Sequence, residues 1–333
     1  MKEIWTLAEF RCGSLNSISF ELLNRGKELA KKLDAPLSSV IIGNNIKTED
    51  INELIARGAD KVYVVNDSHL EHFIVESYAK VLISLLKEFK PDIFFAAATT
   101  TGRTLMPYVA IKMKTGLTAD CTGLDIEEGT GNLLQTRPAI GGNILATIKT
   151  PNTRPQMSTV RPHSMKPMAA DESRKGEVIK REFIDDSSEV KTKFIKFLKD
   201  ETQQVGIQDA KIIVAGGRGL GKAENFNALE ELAEIFGGEV GASRDVVDKN
   251  WMTYPHQVGL SGKTVSPNLY MAIGISGAIQ HIAGMQTSEN IIAINNDPDA
   301  QIFKVADLGI IGDLNEILPP LIKGIKEYKK KEA

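Results

Sequence analysis

PNLYMAIGISGAIQHIAGMQTSENIIAINNDPDAQIFKVADLGIIGD, residues 267–313, decides the fold. It contains three apolar runs, Leu269–Ile275, Ile291–Asn295 and Leu308–Gly312, of the length and character of strands buried on both faces. Each run ends in small or polar residues. In an open parallel sheet, ligands bind in the crevice beyond the carboxyl ends of the strands. Ser276, Gly277, Gln280, His281, Asn295 and Asp313 fall at or just past those ends, so the stretch reads as a cofactor site. Asp313 also sits where an N-cap belongs for a last helix.

Upstream, IIVAGGRGLGKAENF (212–226) reads as strand, glycine-rich turn and helix, the helix running Asn225–Phe236. It nearly spells a triphosphate loop. Gly216, Gly221 and Lys222 match, but Ala223 stands where the metal-binding hydroxyl belongs. A dinucleotide fingerprint fails too, because Gly217 and Gly219 are followed by Lys222. What remains is a glycine turn that lets backbone approach a ligand, a cation at Arg218 and a helix N-terminus. GISGAIQH repeats the design, with Ser276 as hydroxyl and Ala278, Ile279, Gln280 and His281 opening a helix. GASRDVVD (241–248) adds Ser243 and Arg244, and HQVGLSGKT (256–264) adds Ser261.

The N-terminal part alternates strand and helix patterns. Strands are expected at Ile4–Leu7, Val40–Gly43, Val62–Asn66 and Ile93–Ala98. Helices are expected at Ser17–Leu33, Asp50–Arg57, His72–Phe89 and Gly102–Lys114. This alternation predicts a parallel sheet with helices on both faces. Thr122–Ile126, Leu133–Arg137, Asn143–Thr147, Gln156–Arg161 and Val178–Phe183 read as later strands or hairpins of the same domain. The polar stretch Asp185–Gln204 reads as the junction, which gives an α/β chain of two domains, 1–195 and 205–333. The tail Lys329–Lys331 reads as frayed.

Composition narrows the function. A formal net charge of −3 gives no global field for nucleic acid. The longest apolar run is too short to span a bilayer, and MKEIWTLAEF reads as a first strand rather than a leader, so a prokaryotic cytoplasm is expected. Two cysteines, Cys12 and Cys121, make neither a disulfide framework nor a four-thiolate cluster. His69 and His72 lack an acid or thiol at metal spacing, and no nucleophile–base–acid set stands out, so no catalytic residue is assigned.

Taken together, GGRGL, GASRDVVD, QVGLSGKTV and the 267–313 stretch resemble the alpha subunit of electron-transfer flavoprotein. TTTGRTLMPYVAIKMKTGLTADCTGLDI, RPAIGGNILATI and RPQMSTVRP extend the resemblance over nearly the whole chain. It implies a Rossmann-like second domain binding FAD, and a heterodimer in which the first domain packs on a beta subunit. The implied FAD contacts are Arg218, Ser243, Arg244, Val258, Gly259, Leu260, Ser261, Ser276, Gly277, Ala278, Ile279, Gln280, His281, Asn295, Asp313 and Leu314. The family often carries Gln-Thr where this chain has Leu260-Ser261; Ser261 keeps the hydroxyl expected near flavin N5. The resemblance implies electron transfer from a flavin dehydrogenase such as acyl-CoA dehydrogenase. Two alternatives stand beside it: an NADH-dependent bifurcating complex with ferredoxin, and a non-catalytic nucleotide-binding module.

An electron carrier needs a flavin held in a tuned field rather than a proton-shuttling base. A cation about 5 Å from the reduced ring, at an effective dielectric near 20, contributes on the order of 3 kcal/mol. For one electron that is on the order of 140 mV. Arg244 and His281 are the expected sources of such a field.

Overall fold

The computed structural model describes residues 2–11, 13–139, 144–183, 191–196 and 206–332. Cys12 and most of the expected junction lie outside the described residues. The chain falls into two compact units, one holding the described residues up to 196 and the other those from 206.

The first unit opens with β1 (Ile4–Ala8), whose neighbours alternate between two cores. Ile4 and Ala8 join one apolar cluster, and Trp5 and Leu7 the other. Side chains alternate across a strand, so burial on both faces favours this mainly apolar run, in which the buried Thr6 is satisfied by Ser39 Oγ at 3.2 Å. A small ribbon follows, β2 (Phe10–Arg11) with β3 (Ser14–Leu15), then α1 (Ile18–Leu33). Next come β4 (Leu37–Gly43), α2 (Thr48–Ala56), β5 (Lys61–Asn66), α3 (Val75–Phe89), β6 (Ile93–Ala97) and α4 (Thr100–Met113).

Beyond α4 lie β7 (Leu117–Cys121), β8 (Gly123–Ile126), β9 (Leu133–Ala139), β10 (Ile144–Ile148), β11 (Gln156–Val160) and β12 (Glu177–Lys180). The main sheet runs β12-β5-β4-β1-β6-β11-β7, with every pairing parallel. The β8–β10 strands stand apart as a three-stranded antiparallel sheet, while β11 and β12 join the main one.

A strap after β11 crosses the start of α1. Glu21, on the first turn of α1, accepts the backbone N–H of His163 at 2.9 Å. Asn24 donates to Lys166 O at 2.9 Å, and Met168 N to Phe20 O at 3.1 Å. Burial pushes the Glu21 carboxyl up from 4.5 to about 8, against two backbone N–H bonds that oppose the shift.

The second unit is β13 (Ile212–Gly216), α5 (Phe226–Phe236), β14 (Glu239–Ala242), α6 (Arg244–Asp248), β15 (Leu269–Ile273), α7 (Ile279–Ile282), β16 (Asn290–Asn295), β17 (Leu308–Ile311) and α8 (Leu314–Glu332). Its sheet runs β14-β13-β15-β16-β17, all parallel. The expected frayed tail is instead helical to Glu332, with Lys329 Nζ bonded to Ile235 O and lying over the Phe236 ring. No helix among the described residues is long and apolar enough to cross a membrane.

Candidate cofactor site

The strand order places the site. The sheet grows from β13 outward to β14, then reverses and continues through β15, so its switch point lies between β13 and β15. The two glycine-rich loops leave the sheet there. Gly217 N donates to Ile273 O and Gly219 N to Gly274 O, both at 2.9 Å. A Cβ on Gly217 would stand 2.3 Å from Gly274 O, and one on Gly219 2.7 Å from Gly274 Cα. The turn glycines thus let one loop lie on the other, a different reason from close approach to a ligand. Gly277 adopts φ +82°, and a Cβ there would lie 2.2 Å from Ile302 N.

Above this interlock opens a cavity of about 540 Å³, within the range of small-molecule sites. Arg218 and Gly219 line it from the β13 loop, and Ser243 and Arg244 from the end of β14. Val258, Gly259 and Ser261 come from the loop before β15. Ser276, Ala278, Gln280 and His281 come from the loop after it, and Asn295 from the end of β16. Leu260, Gly277, Ile279, Asp313 and Leu314 lie outside this lining. Leu260 is buried, and its N–H bonds Gln280 O at 2.8 Å. Ile279 is exposed, Leu314 joins the helix-packed core, and Asp313 caps α8, accepting Asn315 N at 2.8 Å. Lys222 and the first residues of α5 are likewise outside the lining, so no helix start follows Arg218 into the cavity. The helix after Gly277 is the single turn α7, too short for much macrodipole.

Two acids escaped the sequence reading. Asp245 lies 3.4 Å from Arg218 Nη1, and Asp248 lies 3.4 Å from Arg244 Nε; both carboxylates line the cavity. All four side chains are exposed, and such pairs contribute about 0–1 kcal/mol, so each guanidinium is free to exchange its acid for a ligand anion. The i, i+4 spacing of Arg244 and Asp248 was the available signal. Ser261 Oγ accepts from Gln257 Nε2 at 3.0 Å, and its own O–H has no acceptor among the described residues. Asn295 is spent on backbone: Nδ2 donates to Ile275 O and Oδ1 accepts from Asp297 N.

His281 departs from the expected cation. It is buried, and desolvation holds its pKa down at about 4, so the ring is neutral at pH 7. Nε2 meets Tyr270 Oη at 3.0 Å, while Nδ1 is buried with no hydrogen bond of regular geometry, the Val258 backbone acting on the ring as a weak acceptor. The cavity therefore presents two exchangeable guanidiniums beside their carboxylates, an undirected hydroxyl donor and the edge of a neutral imidazole. This donor set fits a dinucleotide with a pyrophosphate and an acceptor-rich ring, as in FAD.

The comparisons agree with this chemistry. The model of the electron transfer flavoprotein domain matches residues 4–186, and that of the electron transfer flavoprotein FAD-binding domain matches 206–286. The electron transfer flavoprotein subunit alpha of Thermoanaerobacterium thermosaccharolyticum is 51% identical, covering 98% of this chain and 99% of that one. The subunit of the same name from Megasphaera elsdenii is 48% identical over 98% and 97%. The acryloyl-CoA reductase electron transfer subunit beta of Anaerotignum propionicum is 43% identical over 98% and 96%. With both domain models in order and near-full-length relatives sharing about half its residues, the chain belongs to the alpha-subunit family of electron transfer flavoproteins.

Proposed function

We propose that this subunit takes electrons from a flavin dehydrogenase of the acyl-CoA dehydrogenase type and passes them to a further acceptor. Membership of the family carries FAD as cofactor and a beta subunit as partner. The observation that supports the reading is the switch-point cavity, which gathers two guanidiniums held only by exposed acids and a free hydroxyl donor. Bound FAD supplies the electron chemistry. Arg218 and Arg244 hold anionic groups, Ser261 donates to a ring acceptor, and the interlocked loops fix the wall. In this reading residues 205–333 form the FAD domain, with Gly277, Asp313 and Leu314 shaping its rim and Leu260 and Ile279 contributing backbone. Residues 1–195 pack on the beta subunit, and the heterodimer works in a prokaryotic cytoplasm.

The test is the purified heterodimer. One FAD in the alpha subunit, reduced through an acyl-CoA dehydrogenase and indifferent to NADH, is the expected result. A second FAD with NADH-dependent bleaching and ferredoxin reduction assigns the complex to bifurcation instead. A colourless heterodimer binding only AMP returns the chain to a nucleotide-binding module.

Arg244→Ala removes an exposed cation from the cavity wall. Its partner Asp248 and solvent screen part of the effect, so the first reduction potential falls by tens of millivolts, on the order of 1 kcal/mol. Spectroelectrochemical titration reads it, and an unchanged potential with FAD still bound rejects the assignment. Ser261→Ala removes one hydrogen bond, about 0.5–1.5 kcal/mol net. The potential should move while FAD affinity changes less than about tenfold. Wholesale loss of FAD, with normal redox behaviour on reconstitution, makes Ser261 a structural anchor.

A further inference from the structure

We propose that Tyr270 is a positioning residue: it fixes the tautomer of His281, so that the ring enters the cavity wall with its proton on Nδ1. This rests on the FAD reading above, but the groups concerned belong to the chain itself.

Tyr270 stands on the central strand β15, fully buried, with Ala272 on the same face and Met271 on the opposite one. Its side chain packs in the cluster that contains Val258 and Ile275, two residues of the cavity wall. At its tip, Oη lies 3.0 Å from His281 Nε2, and this is its only hydrogen-bond partner among the described residues. Burial raises the phenol far above its usual range and lowers the imidazole, so both groups are neutral across the working pH range. One question remains between them, which is where the imidazole proton sits.

If Nε2 carried it, the phenol O–H would be a buried donor without an acceptor, and the Nδ1 lone pair would face the Val258 backbone. That backbone acts on the ring as an acceptor. With the proton on Nδ1, Tyr270 donates to Nε2 and both conflicts vanish. An unsatisfied buried donor is costly enough to favour this form by about tenfold or more. A hydrogen bond at one ring nitrogen setting the state of the other is the general behaviour of buried histidine. The consequence is an oriented dipole: the positive edge of a neutral ring is held at Nδ1, toward the Val258 backbone in the cavity wall. Tyr270 is thereby linked to the flavin's electrochemistry although it does not line the cavity.

The experiment is nitrogen NMR on the heterodimer with 15N-histidine in this subunit, one of five histidines being assigned by its loss in His281→Gln. The wild type should show a protonated Nδ1 and an unprotonated Nε2, free of exchange between forms. Tyr270→Phe, which deletes only the hydroxyl, should turn this into a tautomer mixture. FAD content should be unchanged and the flavin's first potential shifted. A wild-type ring protonated on Nε2 overturns the proposal, even if Tyr270→Phe does not fold. So does a Tyr270→Phe protein with the wild-type tautomer, or with a mixed tautomer and an unmoved potential. A heterodimer without FAD sinks the functional reading instead, and leaves the tautomer measurement intact.

Discussion

Gly277→Ala empties the FAD site. The residue adopts φ +82°, and an added Cβ would stand 2.2 Å from Ile302 N and 2.6 Å from Ile302 Cα. These are backbone atoms, so no side chain can swing aside. Overpacking of this kind costs about 1–3 kcal/mol, and a positive φ at a non-glycine residue about 1 kcal/mol more. The backbone that must move carries Ser276 and Ala278, both in the cavity wall. FAD affinity should fall at least about tenfold, since each 1.4 kcal/mol is a factor of ten. Gly221→Ala is the control: its φ is +81°, but nothing lies within 4 Å of the added atom. It should lose only the conformational part and keep its flavin. Flavin absorbance and melting temperature of the two purified heterodimers decide the matter. Equal flavin content and equal melting would show that the Ile302 contact is not a constraint.

Glu21→Gln should stabilise the first unit at neutral and alkaline pH. The folded-state pKa is raised from 4.5 to about 8, so around neutrality the folded protein keeps a proton that the unfolded chain has released. The stability this proton confers is complete below about pH 4.5. It is lost as pH rises through 8, and the full shift corresponds to several kcal/mol, on the order of 5. Glutamine has no charge to desolvate and keeps a carbonyl to accept the His163 N–H. Denaturant titrations between pH 5 and about 9 should show a falling stability in the wild type and a flatter line in Glu21→Gln. Parallel curves for the two proteins would place the pH dependence elsewhere.

The strands that position the site were legible because β13, β15 and β16 are buried on both faces and show continuous apolar runs. Their ends were less so. Leu269–Ile275 stops at Ile273 because Gly274 turns at φ +64° to meet Gly219, a partner 55 residues away in the chain. Strand β7 was missed: Thr118 and Asp120 interrupt its apolar pattern. Only the fold shows the Asp120 carboxylate 2.6 Å from Arg161 Nη2 beyond β11. The short helix α6 was not anticipated, since five residues carry no helical period. Within the site, the positions of Arg218, Ser243, Arg244, Ser261 and His281 around one crevice follow from strand ends. The charge of His281 does not, because its burial depends on Tyr270 and Val258, neither adjacent in sequence. The acids Asp245 and Asp248 were passed over for a different reason: Arg218 and Arg244 were read as free cations, although Asp248 stands four residues after Arg244.

The loops at Gly217, Gly219 and Gly274 touch backbone to backbone, which separates two properties that most redox sites mix. At these glycines the wall is main chain against main chain and leaves no room for a side chain. In the proposed reading the voltage is set instead by side chains: Arg244, Ser261 and His281 on the wall, and Tyr270 behind it. Substitution therefore has a narrow corridor for form at these glycines and a wider one for driving force at the side chains. A library confined to those four positions should yield carriers tuned across a range of donors on one unchanged shell.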